Sequence, residues 1–139
     1  AEHILPDWRL GDTAWTSGIV NKTSALMYHR DRNNGIGAWS AMVVVRRNTR
    51  GGHLHLPEYD VVIPCRDGAV VMFPGPEIVH GVTPIDIRPD GYRYSVVYYS
   101  VAKMAHCLPP DEELADARQS RTNSAITMLD RQREQGFLA

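Results

Sequence analysis

The chain has no apolar run near the ~18 residues that a bilayer-spanning helix needs, and its opening, AEHILPDWRL, lacks the basic-then-apolar order of a secretory leader. The expectation is an intracellular protein without a membrane partner. Cysteine is scarce: Cys65 and Cys107 stand far apart, with neither a paired framework nor a CxxC spacing. This argues against a disulfide scaffold and for free, buried thiols in a reducing compartment. Internal repeats and low-complexity segments are missing as well. Nor is there a surplus of either charge, the net being −1, which gives no general attraction for a polyanion. The charge is unevenly spread, however. Arg30, Arg32, Arg46, Arg47 and Arg50 share a segment whose only acid is Asp31, whereas acids predominate after Asp111. That segment reads either as a solvated strand and turn or as a surface for an anionic polymer around the polar residues near position 30.

At 139 residues with 43% hydrophobic and 22% charged content, the chain has the composition of one globular domain with a modest core. Short β-type runs cover Ser17 to His29, Trp39 to Arg46, Gly52 to Leu56, Val61 to Pro64, Ala69 to Phe73, Ile78 to His80 and Tyr92 to Val101. Turn clusters such as Asn33-Asn34-Gly35, Arg66-Asp67-Gly68, Pro74-Gly75-Pro76 and Pro89-Asp90-Gly91 separate them. The fold class expected is mainly β. Past Leu108 helix formers take over: Pro109-Pro110-Asp111-Glu112-Glu113 reads as a helix start, and a second helix is expected over about 123–135. The expected division is a core over 1–108 and a helical segment over 109–139 that packs on the core or makes a subunit contact.

Within the β region, His29-Arg30-Asp31 is followed about fifty residues later by His80 and then by Arg93-Tyr94-Ser95. Two imidazoles and a carboxylate can hold a non-haem Fe(II) facially and leave positions open for a cosubstrate and O2. A zinc ion would accept the same residue types. On a strand, His29 and Asp31 would point the same way and Arg30 the other. Arg93 and Ser95 would likewise share a face, and the arginine fork suits a dicarboxylic acid where lysine would not.

The runs Gly51-Gly52-His53-Leu54-His55-Leu56-Pro57-Glu58, His80-Gly81-Val82-Thr83-Pro84 and Arg93-Tyr94-Ser95-Val96-Val97-Tyr98-Tyr99, framed by His29-Arg30-Asp31-Arg32-Asn33-Asn34, resemble the TET/JBP family of 2-oxoglutarate- and Fe(II)-dependent dioxygenases. The likeness spans roughly residues 16–101. It implies a double-stranded β-helix (jelly-roll) core, with His29, Asp31 and His80 binding iron and Arg93, helped by Ser95, holding 2-oxoglutarate. It also implies that O2 is consumed in hydroxylating the 5-methyl group of thymine or 5-methylcytosine in DNA, the base being flipped from its stack. Asn34 then stands where the family contacts the flipped base, although an asparagine before Gly35 also reads as a turn residue; Arg30 and Arg32 would meet phosphates. Two histidines, His53 and His55, depart from the acidic or apolar residues expected there. Other readings stay open: a cupin-type metal protein, whose ligand pattern His53, His55 and Glu58 with the later Gly68, Pro74 and His80 approximate and in which His53 and His55 would bind, or a 2-oxoglutarate oxygenase acting on a peptide or small molecule. A further copy or partner chain could cover Trp8, Trp15 and the edges of so small a barrel.

Overall fold

The structure, a computed structural model, describes residues 4–35 and 37–135. The chain divides into two units, residues 1–106 and 107–139. Among the described residues of the first are strands β1 (Ser17–Lys22), β2 (Ser40–Gly51), β3 (Leu54–Leu56), β4 (Val61–Ile63), β5 (Val70–Phe73), β6 (Gly81–Val82) and β7 (Ile85–Tyr99). They pair antiparallel in two sheets, ordered β1-β7-β2-β5 and β4-β3-β6. This is the mainly β architecture expected, in a two-sheet form compatible with a jelly roll.

Side-chain alternation selects the core. Met42 and Val44 of β2, Leu54 and Leu56 of β3, Phe73 of β5 and Cys65 form one buried cluster, and Ile63, Val71, Ile78 and Val97 pack against it. Both sheets contribute, so burying these side chains is what holds sheet on sheet. Of the two thiols expected to be buried, Cys65 is, while Cys107 is half-buried; both are free.

β2 and β7 form the spine of the larger sheet. Their pairing steps from Arg47–Tyr92 to Thr49–Ile87, so residues 88–91 face Asn48 alone. Asn48 and Asp90 both adopt positive φ there, and the Asn48 amide donates to the Pro89 carbonyl. Pro89-Asp90-Gly91, expected to end a strand, is therefore a bulge inside a strand that starts at Ile85 rather than Tyr92. The extra residues lie on β7, so the ladder is interrupted there and resumes at Thr49–Ile87.

Two further expectations need correction. The strand from Ser17 stops at Lys22, where Thr23 turns with φ 51°, so His29 and Asp31 are not on it. Ile78 to His80 is not a full strand either; His80 makes one isolated bridge, to His29, and β6 follows. The chain from Leu26 to His29 runs along the free edge of β6, through Val82 N–H to Leu26 O (2.9 Å) and a reciprocal pair between His29 and His80 (2.9 and 3.0 Å).

The second unit contains one helix, α1 (Pro110–Glu134), where two were expected. Proline stands at its first turn with Asp111, Glu112 and Glu113, and Arg131 and Arg133 lie in its last turn, so both ends suit the macrodipole. No glycine or proline interrupts it, and Gln119–Asn123 and Thr122–Arg118 hydrogen bonds run across the stretch between the two expected helices. Among the described residues, no helix is long and apolar enough to cross a membrane.

Leu54 is 1% exposed at the centre of the core, whereas Val20 on β1 is 65% exposed. Leu54→Ala should lower unfolding stability in urea by ~2–5 kcal/mol, and Val20→Ala by less than ~0.5 kcal/mol.

Candidate metal centre

His29, Asp31 and His80 form a group whose ligand atoms all lie within 4.8 Å of one another. Asp31 Oδ1 is 3.3 Å from His29 Nε2 and 3.6 Å from His80 Nε2. Two donors held at right angles, each about 2.1 Å from one ion, stand ~3 Å apart. The two Asp31–histidine spacings are thus close to those of a facial set at a non-haem iron site.

Strand alternation does not bring these groups together, as the sequence suggested; backbone hydrogen bonds do. The His29–His80 bridge joins the two histidines, and Asp31 N–H donates to Gly75 O at 3.1 Å. Each ring is then oriented in the same way: His29 Nδ1 lies 2.8 Å from Met27 O and His80 Nδ1 2.9 Å from Ile78 O. A carbonyl can only accept, so each Nδ1 carries the proton and each Nε2 offers its lone pair. Phe73 packs edge-on against His80, with ring centroids 4.7 Å apart. Burial pulls the His80 pKa below its ordinary value; the Ile78 carbonyl and Asp31 oppose the shift, and His29 adds to it. The neutral imidazole a metal requires is thereby favoured.

Asp31 is placed by residues whose role the sequence did not disclose. The Asn34 amide donates to Asp31 Oδ2 (3.2 Å) and contacts Ser40 Oγ (3.1 Å), and Ser40 is buried. Gly75 lies so close that a Cβ there would overlap the Asp31 carboxylate. Pro74-Gly75-Pro76 read as a turn; the absent side chain also makes room for the ligand. Asn34 thus does more than either of its readings: it orients Asp31, it bridges Val101, and it lines the cavity.

A cavity of about 1080 Å³ adjoins the group, and Asn34, Arg30, Arg32, Ser95, Val97 and Tyr99 are among its lining residues. Arg93 is not. It lies two positions from Ser95 on the same face of β7 and is 0% exposed. Its Nε and Nη2 donate to Gly52 O at 3.1 and 2.9 Å, while Nη1 has no partner, alone among buried side-chain nitrogens and oxygens of the described residues. A Cβ at Gly52 would come within 2.5 Å of Arg93 Nε, so the second glycine of the Gly51–Glu58 motif is what lets the guanidinium lie there, while Gly51 admits the Pro84 carbonyl. Burial lowers the Arg93 pKa, Cys65 acting against the shift and Arg46 with it. A buried guanidinium with an orphaned donor is costly; a carboxylate would satisfy it.

Other arginines fall elsewhere. Arg30 is paired with Glu58 at 2.7 Å, and Arg32 is exposed on the cavity wall. Arg46, Arg47 and Arg50 line a separate groove of about 490 Å³ at the other end of β2 from Ser40. They do not surround the metal group, because the length of β2 separates them from it.

The ligand set of the cupin reading is not assembled. His53 Nδ1 accepts from Cys65 N–H (3.1 Å), its pKa lowered by burial and then by Arg46 and Arg93; His55 Nδ1 meets Tyr28 Oη (2.6 Å); Glu58 is taken by Arg30 and Val79. These side chains point to different partners, and His29, Asp31 and His80 are the one such group among the described residues.

Two outcomes are expected. Gly75→Ala should fold yet bind Co(II) at least ~10-fold more weakly, measured by titration, because the new methyl displaces the Asp31 carboxylate. Metal-free protein should lose stability as pH falls through the unfolded value of 6.5, since His80 and His53 have lowered folded pKa values and the unfolded chain takes up protons first. Urea midpoints at pH 7.5 and 5.5 read the effect.

No protein-family model and no curated protein matches the chain. Among solved structures, its fold is similar to that of NgTET1 in complex with 5mC DNA, with TM-score 0.62 and 18% sequence identity over 82% of this chain. The chain spans 46% of that protein, under half its length, and the likeness is one of fold.

Proposed function

We propose that this chain is a 2-oxoglutarate- and Fe(II)-dependent dioxygenase that hydroxylates the 5-methyl group of thymine or 5-methylcytosine in DNA. The observation that carries the reading is the clustered His29/Asp31/His80 group, together with the presence in the same unit of a buried, incompletely bonded Arg93. Iron held by the three ligands would supply O2 activation coupled to oxidation of 2-oxoglutarate to succinate and CO2.

The chain's own residues would bind, orient and exclude water. Arg93 would give its Nη1 donor to the distal carboxylate, and the buried Ser95 hydroxyl, which lines the cavity, would add a second contact. Leu26, Met42, Val97 and Tyr99 supply apolar wall around the reacting methyl. A base must leave its stack to reach that depth. The Asn34 amide nitrogen is engaged with Asp31 and Ser40, which turns its carbonyl into the acceptor for a pyrimidine edge. Arg32 would meet a phosphate at the rim; Arg30, one of whose donors is held by Glu58, would have its other N–H groups for one.

The DNA complex of NgTET1 supports a pyrimidine in a polymer as the substrate. One observation favours a second reading, oxidation of a peptide or free small molecule: the densest basic cluster, Arg46, Arg47 and Arg50, lies away from the cavity.

Incubation with Fe(II), 2-oxoglutarate and methylated or thymine-containing DNA should yield hydroxymethyl bases by mass spectrometry. Succinate without base oxidation would shift the assignment to the second reading. Arg93→Lys should raise the KM for 2-oxoglutarate at least ~10-fold, the loss of about 1.4 kcal/mol, because an ammonium cannot reproduce the fork.

A further inference from the structure

We propose that the segment His55–Glu58 is a clamp that positions the metal ligands, with His55 and Glu58 as its positioning residues; this rests on the metal-centre reading above. His29 sits on a stretch of backbone with one isolated bridge and no strand around it. Such a stretch does not by itself hold ligands to the ~0.5 Å that a metal site demands.

Both neighbours of His29 reach the same short segment. On one side, Tyr28 Oη meets His55 Nδ1 at 2.6 Å, the rings edge-on with centroids 5.5 Å apart. On the other, Arg30 donates to Glu58 Oε1 at 2.7 Å. The second oxygen of that carboxylate, Oε2, accepts from Val79 N–H at 3.0 Å. One side chain therefore ties the residue after His29 to the residue before His80. Glu58 is the place where the two ligand segments meet through a side chain, as they meet through backbone at the His29–His80 bridge.

The clamp has a rigid base. Leu54 and Leu56 are buried in the core, so alternation puts His55 on the opposite face of β3. Pro57 opens a 3-10 turn over Pro57–Tyr59, and Asp60 ends it in the left-handed region, which fixes the direction in which Glu58 leaves the backbone. Gly81 on β6 pairs with His55, and a Cβ there would lie 2.7 Å from Tyr28 Cδ1. Tyr28 thus passes over β6 where that strand has no side chain, and reaches β3 beyond.

The magnitudes indicate positioning rather than stability. Arg30 and Glu58 side chains are 47% and 44% exposed. Exposed pairs add little to folding, whereas removing a group that orients metal ligands typically costs 10–100-fold in affinity.

Co(II) titration of the full chain tests this through affinity and the visible band, without turnover. Glu58→Gln offers one acceptor to two donors and should weaken Co(II) at least ~10-fold, with the band altered and the melting temperature of metal-free protein unchanged. Arg30→Met should weaken it too, and the double variant should add little to either loss. Tyr28→Phe should lower affinity, and Tyr59→Ala, on the same turn, should not. Should Glu58→Gln fail to fold, Arg30→Met carries the same test. Wild-type affinity and band in both Glu58→Gln and Arg30→Met would overturn the clamp and leave the metal centre standing. A wild-type chain that takes up no Co(II) would overturn the metal centre, and the clamp with it.

Discussion

The reciprocal backbone bridge between His29 and His80 is the constraint on which the site depends. It joins a chain segment leaving β1 to one entering β6, far apart in sequence, and sets two imidazoles 4.4 Å apart. Every other feature of the centre refines that join. Met27 and Ile78 carbonyls turn the rings, Gly75 and Asn34 set the carboxylate, and Glu58 spans the two segments from outside. Because the bridge is made of main-chain groups, it demands no residue type at either position. The candidate ligands are therefore specified by their side-chain chemistry and their meeting by backbone.

A second constraint lies at Arg93. A fully buried guanidinium with one donor unsatisfied runs against the rule that buried polar groups find partners. Like Val44, Leu54 and Cys65, the Arg93 side chain is fully buried. Two bonds to Gly52 O hold the head group in place, and the bare backbone of that glycine makes the approach possible. Stability given up at such a point is a common mark of a ligand-binding position.

The mainly β class followed from period-two runs and turn clusters. His29, Asp31 and His80 stand out in the sequence as the residue types that a metal centre needs, and the structure brings the three together. The route to their meeting does not stand out there: alternation was invoked for His29 and Asp31, but Thr23 turns the chain out of β1 before either is reached. Pro89-Asp90-Gly91 had the chemistry of a strand end, and only the partner strand, with Asn48 opposite, makes it a bulge. The two helices expected after Leu108 are one, since no helix-breaking residue stands between them.

Local composition and order thus determined what this chain contains: donors for a metal, an arginine for an anion, and glycines where backbone must come close. Those properties belong to single residues and their neighbours, so they can be read in one dimension. Only the tertiary structure decided which of them meet. It drew His53, His55 and Glu58 into separate partnerships, carried Arg46, Arg47 and Arg50 to the far end of β2, and made Asn34, Gly75 and Ser40 the surroundings of one carboxylate. Such meetings depend on pairing between distant strands and on where each turn releases the chain, and no local pattern encodes either.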